Sequence, residues 1–281
     1  MLELMGRSAL ITGGARGFGK SAALMLARQG ASVAVADVAT GESVGAYSAA
    51  TADDLDQVVK EISALGQPAL GIRADVTKSA DCKRMADQTI AAFGKIDILI
   101  ANAGVGGCGD VAWDQTEELW DLTLAVNLKG VWLTTKYVVP HMIERRYGKI
   151  VVTSSRDGLK SEEACAAYIA SKHGVMGYMK SLAMEVGSFN INVNAICPTG
   201  MGKIEEGGSP NRFWDLRVGH ANATAADFEE WSDKQNLIQL GRQPAFEEVA
   251  EGLLWLVSDR SRLMTGSSLV MDAGYIVKRG G

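Results

Sequence analysis

Tyr168 and Lys172 are the residues of this chain whose types and spacing point most directly to chemistry. They lie in the segment AYIASKHGVMGYMKSLAMEV, whose apolar residues recur at helical spacing. Residues four apart share one face of a helix. An ammonium beside a phenol favours the phenolate, so we expect Lys172 to lower the pKa of Tyr168 below its ordinary value of about 10. Such a phenol can take or give a proton near neutral pH.

A serine hydroxyl upstream would complete this arrangement. Ser155 ends the stretch KIVVTSS, whose apolar run predicts a buried strand. At the end of that strand, the hydroxyl would hydrogen-bond the oxygen atom that Tyr168 protonates or deprotonates. A tyrosine and a lysine at this spacing also occur by chance, so the interpretation depends on the rest of the chain.

The beginning of the chain has the pattern of a nucleotide-binding unit. SALIT predicts a strand, GGARGFG a turn, and residues 20–29 a helix that ends at Gly30. The glycines of that turn would allow a tight bend and the close approach of a pyrophosphate, and they are Gly13, Gly17 and Gly19. The helix N-terminus would attract the same anion. The alternative is a turn that is merely rich in glycine.

Asp37 bears on the choice of cofactor. It closes the second predicted strand at 32–36, where a carboxylate can accept hydrogen bonds from an adenosine ribose and would repel a 2′-phosphate. NAD is therefore favoured over NADP. Arg16 opposes this choice, because an arginine there can pair with a 2′-phosphate; it can also pair with a nearby acid. Residues 39–52 form a longer connection than is usual, which either covers the cofactor or is a surface insertion.

Further candidates follow the later strands, which are predicted at 69–74, 96–100, 150–153, 192–196 and 267–271. Asp75 would meet the adenine amino group, and the small residues 101–104 would let the backbone approach the cofactor ribose. Asn127 lies in a helix predicted at 119–137, where an asparagine needs polar partners. Those partners are either backbone groups or a water molecule next to Lys172.

Residues 201–244 break the alternation of strands and helices. This segment is polar, with scattered aromatic residues that include Phe213 and Trp214. It predicts either a lid over a substrate or a helical excursion that never touches a ligand. We treat it as an insertion, so one α/β domain is expected over 1–281.

Composition excludes several classes of partner. The 281 residues carry a net charge of −5 without a basic tract, so neither nucleic acid nor anionic membrane is expected as a partner. The apolar runs are too short to span a bilayer, and the N-terminus does not resemble a signal peptide, which predicts a cytoplasmic protein. The four cysteines form no metal-binding pattern, so we expect no metal and four reduced thiols.

Together these motifs resemble the short-chain dehydrogenase/reductase family. The matching pieces are 12–19, Asp75-Val76, 102–104, Asn127, Ser155, Tyr168 with Lys172, and Pro198. The stretch after Asp37, with Tyr47, is similar to the carveol-dehydrogenase-like, mycofactocin-associated branch, which holds NAD tightly. The resemblance implies a doubly wound Rossmann fold, with a seven-stranded parallel sheet flanked by helices on both faces, and usually a homotetramer.

The resemblance also implies a role for each matching residue. Tyr168 would be the catalytic acid or base, Lys172 would hold the nicotinamide ribose, and Ser155 would orient the substrate oxygen. Asn127 would maintain a water molecule that links Lys172 to solvent. The residues expected to contact the cofactor are Gly13, Ala15, Arg16, Gly17, Phe18, Gly19, Asp37, Val38, Asp75, Val76, Asn102, Ala103, Gly104, Tyr168, Lys172, Pro198, Thr199, Gly200 and Met201.

Three positions depart from the family pattern. Lys203 stands where a threonine often bonds the nicotinamide carboxamide, and Thr199 follows Pro198 where glycine is commoner. Arg156, directly after Ser155, is charged where a small residue is expected. It would either contact the substrate, as we expect of Phe213 and Trp214, or pair with Asp157 or with a carboxylate of 201–244.

The function expected is NAD-dependent interconversion of a secondary alcohol and a ketone, on a mid-sized, mostly apolar substrate of the cyclic or terpenoid kind. An NADPH-dependent reductase of the 3-oxoacyl type is the first alternative. A dinucleotide-binding sensor or scaffold without catalysis is the second.

Overall fold

A computed structural model of the chain describes residues 2–44, 47–202 and 212–278. Its strands, numbered in chain order, are β1 (Ser8–Thr12), β2 (Ser32–Asp37), β3 (Ser43–Val44), β4 (Tyr47–Ser48), β5 (Ala69–Arg73), β6 (Ile98–Ala101), β7 (Gly148–Thr153), β8 (Ile191–Pro198) and β9 (Ser268–Met271). Seven of them form one sheet in the order β5-β2-β1-β6-β7-β8-β9, and every pairing in it is parallel. The short strands β3 and β4 form a separate antiparallel pair.

Helices cover both faces of this sheet. They are α1 (Gly17–Arg28), α2 (Ala52–Ala64), α3 (Ser79–Phe93), α4 (Glu117–Leu124), α5 (Gly130–Arg145), α6 (Ala166–Val186), α7 (Arg212–Val218), α8 (Ala225–Gln235) and α9 (Phe246–Val257). Side chains of α3, α5 and α6 form one apolar core, and those of α1, α2 and α9 form the other. Because the sheet is covered on both sides, its strands are nearly continuous apolar runs, as SALIT shows. The prediction of a doubly wound seven-stranded sheet is confirmed.

The strand order creates a crevice at one edge of the sheet. The chain passes from β1 to β2 on one side and later to β6 on the other. Connections therefore diverge at the carboxyl ends of β1 and β6, which is where open α/β sheets bind ligands. Thr12 and Ala101 end these two strands, and Asp37 ends the neighbouring strand β2.

Two elements differ from what the sequence predicts. The connection 39–52 contains the β3–β4 hairpin, and α2 after it begins with a reciprocal hydrogen-bonded cap between Thr51 and Asp54. The helix predicted at 119–137 extends from Glu117 to Arg145 and includes one π-helical turn, Ala125–Lys129. A π turn adds a single residue to the apolar spacing, and a prediction of one helix over 119–137 does not resolve that shift.

The expectation of four reduced cysteines is wrong for two of them. Cys108 and Cys165 form a disulfide, whereas Cys82 and Cys197 are free and buried. The disulfide forms because the loop after β6 packs on the residues that precede α6, where the Gly109 N–H donates a hydrogen bond of 3.0 Å to the Ala164 carbonyl. This contact joins residues that are far apart in the chain, so their spacing gave no sign of it.

The segment 201–244 contains α7 and α8. Phe228 of α8 stacks on Trp214 of α7, with ring centroids 5.7 Å apart, and on Trp231 at 5.4 Å. The segment is tied to the loop after β9, since Leu237 N–H and Ile238 N–H both donate to the Ala273 carbonyl. Lys203 lies outside the described residues. Within the described ranges, none of the helices combines the length and apolarity needed to cross a bilayer.

Candidate active site

A cleft of about 980 Å³ opens along the carboxyl edge of the sheet. All the residues predicted to bind the cofactor line it, except Ala15 and Gly200. Ser155, Tyr168 and Lys172 line the same cleft. The glycine turn and the Tyr168 helix belong to different halves of the sheet and to separate sequence motifs. In the structure their residues face the same cleft.

The glycine turn presents a free helix N-terminus to this cleft. α1 begins at Gly17, and the residue before it, Arg16, places no side-chain hydrogen bond on the first N–H groups. Gly17 has a φ of +53°, and a methyl group added there would meet only a ring carbon of Phe246, at 3.7 Å. A methyl group on Gly19 would lie 2.0 Å from the Gly13 carbonyl oxygen. Gly19 therefore keeps the turn compact, whereas Gly17 borders open space suited to a pyrophosphate.

Asp37 retains hydrogen-bonding capacity towards the cleft. One carboxylate oxygen accepts from Ala15 N–H at 3.1 Å, and the other accepts from Ala39 N–H at 3.3 Å. A carboxylate has about four acceptor positions, so two bonds leave room for ribose hydroxyls. Ala15 thus acts behind the cleft, by fixing Asp37.

Arg16 lies near an acid of the neighbouring helix. Hydrogen bonds from Thr51 are the main cause that lowers the pKa of the Asp54 carboxyl, and the charge of Arg16 lowers it further. This placement favours the interpretation in which Arg16 faces a nearby acid rather than a 2′-phosphate.

Asn102 and Asp75 support the crevice between the strands. The Asn102 side chain donates to the carbonyls of Thr12 and Gly13, at 3.1 and 2.9 Å. A methyl group on Gly13 would lie 2.7 Å from the Ala103 Cα, so this turn and the end of β6 are in close contact. Asp75 accepts from Thr77 N–H at 2.9 Å, which orients its carboxylate at the cleft's rim.

Lys172 is held by β7 rather than by Tyr168. Its Nζ donates to the Thr153 carbonyl at 2.8 Å and lies 5.4 Å from the centroid of the Tyr168 ring. Burial is the main cause that lowers the Lys172 pKa from 10.5 to about 8. The ammonium is nevertheless the dominant form of Lys172 at neutral pH.

Tyr168 titrates in the opposite direction from the one expected. Burial, the largest cause, raises its pKa above the ordinary value of 10, and the Asp157 carboxylate raises it further. Hydrogen bonding with Ser155 and the charge of Arg156 oppose that rise. The prediction that Lys172 lowers this pKa is wrong here, because Lys172, whose pKa is about 8, loses its charge before Tyr168 ionises. Tyr168 therefore carries its proton at neutral pH.

Ser155 has a defined hydrogen-bonding direction. Its Oγ accepts a hydrogen bond of 3.0 Å from Asp157 N–H. That bond occupies one acceptor position of Oγ, and the hydroxyl of Ser155 also hydrogen-bonds the phenol of Tyr168. Ser155 can therefore donate towards an oxygen atom that lies beside Tyr168.

Asn127 lies behind the cleft wall, in the π-helical turn. Its side chain pairs with both backbone groups of Val105, accepting from the N–H at 2.8 Å and donating to the carbonyl at 2.9 Å. It also donates to Ser171 Oγ at 3.1 Å. The alternative in which Asn127 satisfies backbone groups is thus observed, and the expected link to a water molecule stays a prediction.

Of the three predicted substrate residues, neither Arg156 nor Trp214 lines the cleft as the structure describes it. Arg156 is buried, and its guanidinium faces Asp157 at 3.6 Å, which is the pairing that the sequence offered as an alternative. Trp214 packs within segment 201–244. Phe213 belongs to α7, and its side chain lies outside the described part of the chain.

Other residues of the cleft were not predicted. Arg73 ends β5 beside Asp37 and donates from Nε to the Val38 carbonyl at 3.2 Å. Its place at a strand end was a usable signal. The apolar wall residues gave none, because nothing in the sequence separates them from core positions; they are Val105, Leu122, Val126 and Phe246.

Comparisons with known proteins agree with this geometry. The family model described as short chain dehydrogenase matches residues 7–203. A (−)-trans-carveol dehydrogenase of Rhodococcus erythropolis is 38% identical over 284 residues, covering 99% of this chain and 100% of the relative. A 3-oxoacyl-[acyl-carrier-protein] reductase of Thermotoga maritima is 34% identical over 276 residues, covering 98% and 100%.

A solved structure is similar over almost the whole chain. The crystal structure of carveol dehydrogenase from Mycobacterium avium in complex with NAD has a TM-score of 0.91 and 33% sequence identity, and the match covers 99% of this chain and 100% of that one. Because the family model matches well over half of the chain and the relatives match nearly all of it, the protein belongs to the short-chain dehydrogenase family.

Proposed function

We propose that this protein is an NAD-dependent dehydrogenase that interconverts a secondary alcohol and a ketone. One observation carries the proposal. Ser155, Tyr168 and Lys172 face the same cleft as an uncapped helix N-terminus and the Asp37 carboxylate. The proton-handling groups and the features suited to a dinucleotide therefore share one space, as hydride transfer between two bound molecules requires.

The proton path follows from the hydrogen bonds around Ser155 and Tyr168. Bound NAD supplies the site that accepts or releases hydride. In ketone reduction, Tyr168 donates its phenolic proton to the carbonyl oxygen as hydride reaches the carbon. Ser155, fixed by Asp157 N–H, donates to the same oxygen. In alcohol oxidation, Tyr168 must first release its own proton to solvent; its phenolate then accepts the proton of the alcohol hydroxyl as hydride leaves the carbon. Lys172 would contribute its positive charge beside the nicotinamide ribose.

The chemistry of the cleft fits NAD better than NADP. The free N–H groups at the start of α1 suit a pyrophosphate, and the open acceptor positions of Asp37 suit ribose hydroxyls. A 2′-phosphate at the same place would face that carboxylate. The same argument weighs against an NADPH-dependent 3-oxoacyl reductase, although one such relative shares 34% identity.

The expected substrate is a mid-sized, mostly apolar secondary alcohol of the cyclic or terpenoid kind. The support is twofold: two relatives of nearly full length are carveol dehydrogenases, and apolar side chains line the same cleft as Tyr168. Segment 201–244 would form the lid over that substrate, and 39–52 would cover the adenosine, since Thr40, Glu42 and Ala50 line the cleft. The whole chain would act as one domain.

Turnover of carveol and other cyclic secondary alcohols tests the proposal. NADH absorbance should rise with NAD and at most weakly with NADP. Tyr168→Phe should lower kcat about 10²–10⁴-fold, the usual contribution of a general acid or base. NADH binding, followed by fluorescence, should persist. The matched control is Tyr178→Phe on the same helix, whose hydroxyl bonds Thr135. Turnover in Tyr168→Phe at the wild-type rate would exclude the mechanism, and binding without turnover of any alcohol would favour the sensor.

A homotetramer in the cytoplasm is the assembly and location that we infer. Trp120 and Trp132, on α4 and α5, expose 38% and 43% of their surface, and Leu128 between them borders an apolar depression. A second copy of the chain would cover this face. Light scattering on the purified protein should give a mass close to four chains, and Trp132→Glu should lower it. Cell fractionation tests the location.

A further inference from the structure

Four charged side chains form a buried cluster behind the active site. Arg156, Asp157, Glu162 and Arg217 each expose 15% or less of their side chains. Arg156 lies 3.6 Å from Asp157 and 3.5 Å from Glu162, and Arg217 lies 2.9 Å from Glu162. Two cations thus balance two anions, as burial requires. None of the four lines the cleft as the structure describes it.

Arg156 is the member with the most diverse contacts. Its Nη1 donates to Thr199 Oγ1, and Thr199 itself lines the cleft in the loop after β8. The guanidinium also lies over the ring of Tyr275, 3.5 Å from the centroid, near the C-terminus. A planar group with five donors can hold such partners together, and the single ammonium of a lysine cannot.

Glu162 extends the cluster to segment 201–244. It receives hydrogen bonds or ionic contacts from Arg156, from Tyr275 Oη and from Arg217 of α7. Arg217 also donates to the Glu163 carbonyl at 2.6 Å. A continuous path of charged contacts therefore runs from the residue next to Ser155 to α7.

We propose that Arg156 is a positioning residue that fixes Thr199 at the cofactor side of the cleft and, through Glu162 and Arg217, fixes α7 of the proposed lid, segment 201–244. This inference rests on the proposed function of the same cleft. Arg156 would touch neither the cofactor nor the substrate. It acts on the Thr199 loop and on α7 through its partners, in keeping with the alternative in which Arg156 pairs with Asp157.

The charge of Arg156 has a second effect, which separates positioning from mere stability. Burial raises the pKa of the Asp157 carboxyl to about 6, and the charge of Arg156 limits that rise. The same charge opposes the rise in the pKa of Tyr168. The other groups that act on these two are Glu162, Arg217, Cys197 and the Ser155 hydroxyl. Removal of the Arg156 charge should therefore move the ionisation of Tyr168 to higher pH.

Steady-state kinetics of Arg156→Met and Arg156→Lys test the proposal, with the exposed Arg28→Met as control. Arg156→Met should raise KM for the alcohol about tenfold, the usual scale for a lost charged hydrogen bond. It should also shift the pH profile of kcat/KM towards higher pH, because the charge that opposes the rise in the Tyr168 pKa is gone. Arg156→Lys should raise KM similarly but keep the wild-type pH profile, because the charge remains and the planar fork is lost. An unchanged KM in both variants would overturn the inference, as would equal pH shifts in both.

Two further variants keep the test decisive if Arg156→Met does not fold. Thr199→Val removes the hydroxyl that accepts from Arg156 and should weaken NADH binding, measured by fluorescence, about tenfold, whereas Thr199→Ser keeps that hydroxyl in the cleft and should bind NADH like the wild type. Arg217→Met removes the contact to α7 and should raise KM for the alcohol without a change in NADH binding. If Thr199→Val and Arg217→Met both match wild type in these readouts, the positioning role is refuted. Wild-type turnover reports separately on the proposed function.

Discussion

Replacement of Lys172 by methionine should abolish turnover and, at neutral pH, stabilise the cofactor-free protein. Lys172 is only 4% exposed, and burial lowers its pKa from 10.5 to about 8. At about 1.4 kcal/mol per pH unit, this difference means that the buried ammonium costs about 3 kcal/mol at pH 7. Loss of the bond to the Thr153 carbonyl offsets part of the gain. We therefore expect a net gain on the order of 1–2 kcal/mol.

The sign of the pH dependence makes this prediction specific. Between pH 8 and 10.5 the unfolded chain binds more protons at this lysine than the folded chain does, so wild-type stability rises with pH there. Methionine does not titrate. The stability advantage of Lys172→Met over the wild type should thus shrink by about 2 kcal/mol between pH 7 and pH 9.5. At pH 9.5 the variant should be no more stable than the wild type.

Urea unfolding at pH 7 and pH 9.5, followed by tryptophan fluorescence, measures both effects. Lys180→Met is the matched control, because Lys180 is exposed on the same helix and should change stability by no more than about 0.5 kcal/mol at either pH. A stability difference between wild type and Lys172→Met that does not depend on pH would refute the reasoning. So would a loss of more than about 2 kcal/mol at pH 7.

Three other perturbations have defined outcomes. Asp37→Ala should raise the ratio of NADP to NAD turnover at least about tenfold, because the carboxylate that faces the 2′ position is gone; an unchanged ratio would contradict this, as measured by parallel assays with both cofactors. Gly17→Ala should weaken NADH binding while circular dichroism stays native, since φ is +53° and the methyl group would border the pyrophosphate space. Cys108→Ser should lower the free energy of unfolding by about 2–4 kcal/mol, because the disulfide with Cys165 closes a loop of 57 residues; the same denaturant midpoint with and without a dithiol reductant would count against this crosslink.

Features that depend on strand ends were predictable from the sequence, because parallel strands bring their carboxyl ends to one edge. Asp37 and Ser155 lie far apart in the chain, yet their places after apolar runs are enough to predict that both line one cleft. The partners of Asn127 were predictable in kind but not in identity, since Val105 belongs to a loop without regular spacing. The direction in which Lys172 points depends on a backbone carbonyl, which no side-chain pattern reports.

The charged cluster was the least predictable part of the site. Arg156 and Asp157 are adjacent in the chain, so their pairing was open to inference. The route through Glu162 to Arg217 depends on how segment 201–244 packs, and the sequence shows only that the segment is polar. The pKa of about 6 for Asp157 likewise arises from burial. The sequence Arg156-Asp157-Gly158 is polar and predicts an exposed turn, so it does not indicate that burial.

The π-helical turn at Ala125–Lys129 interrupts the long helix between residues 117 and 145. The half before the turn and the half after it therefore present their apolar faces in different directions. A π turn contains one residue more than an α turn does. The extra residue rotates the second half relative to the first by about 100°, the angle of one helical residue. The first half packs on α6 and the second on α3. A one-residue deletion in this turn would restore regular winding, but it would swing the apolar stripe of Gly130–Arg145 about a quarter of a revolution away from α3. The length of this helix should therefore be fixed, because any one-residue insertion or deletion in the turn would change which surface faces α3.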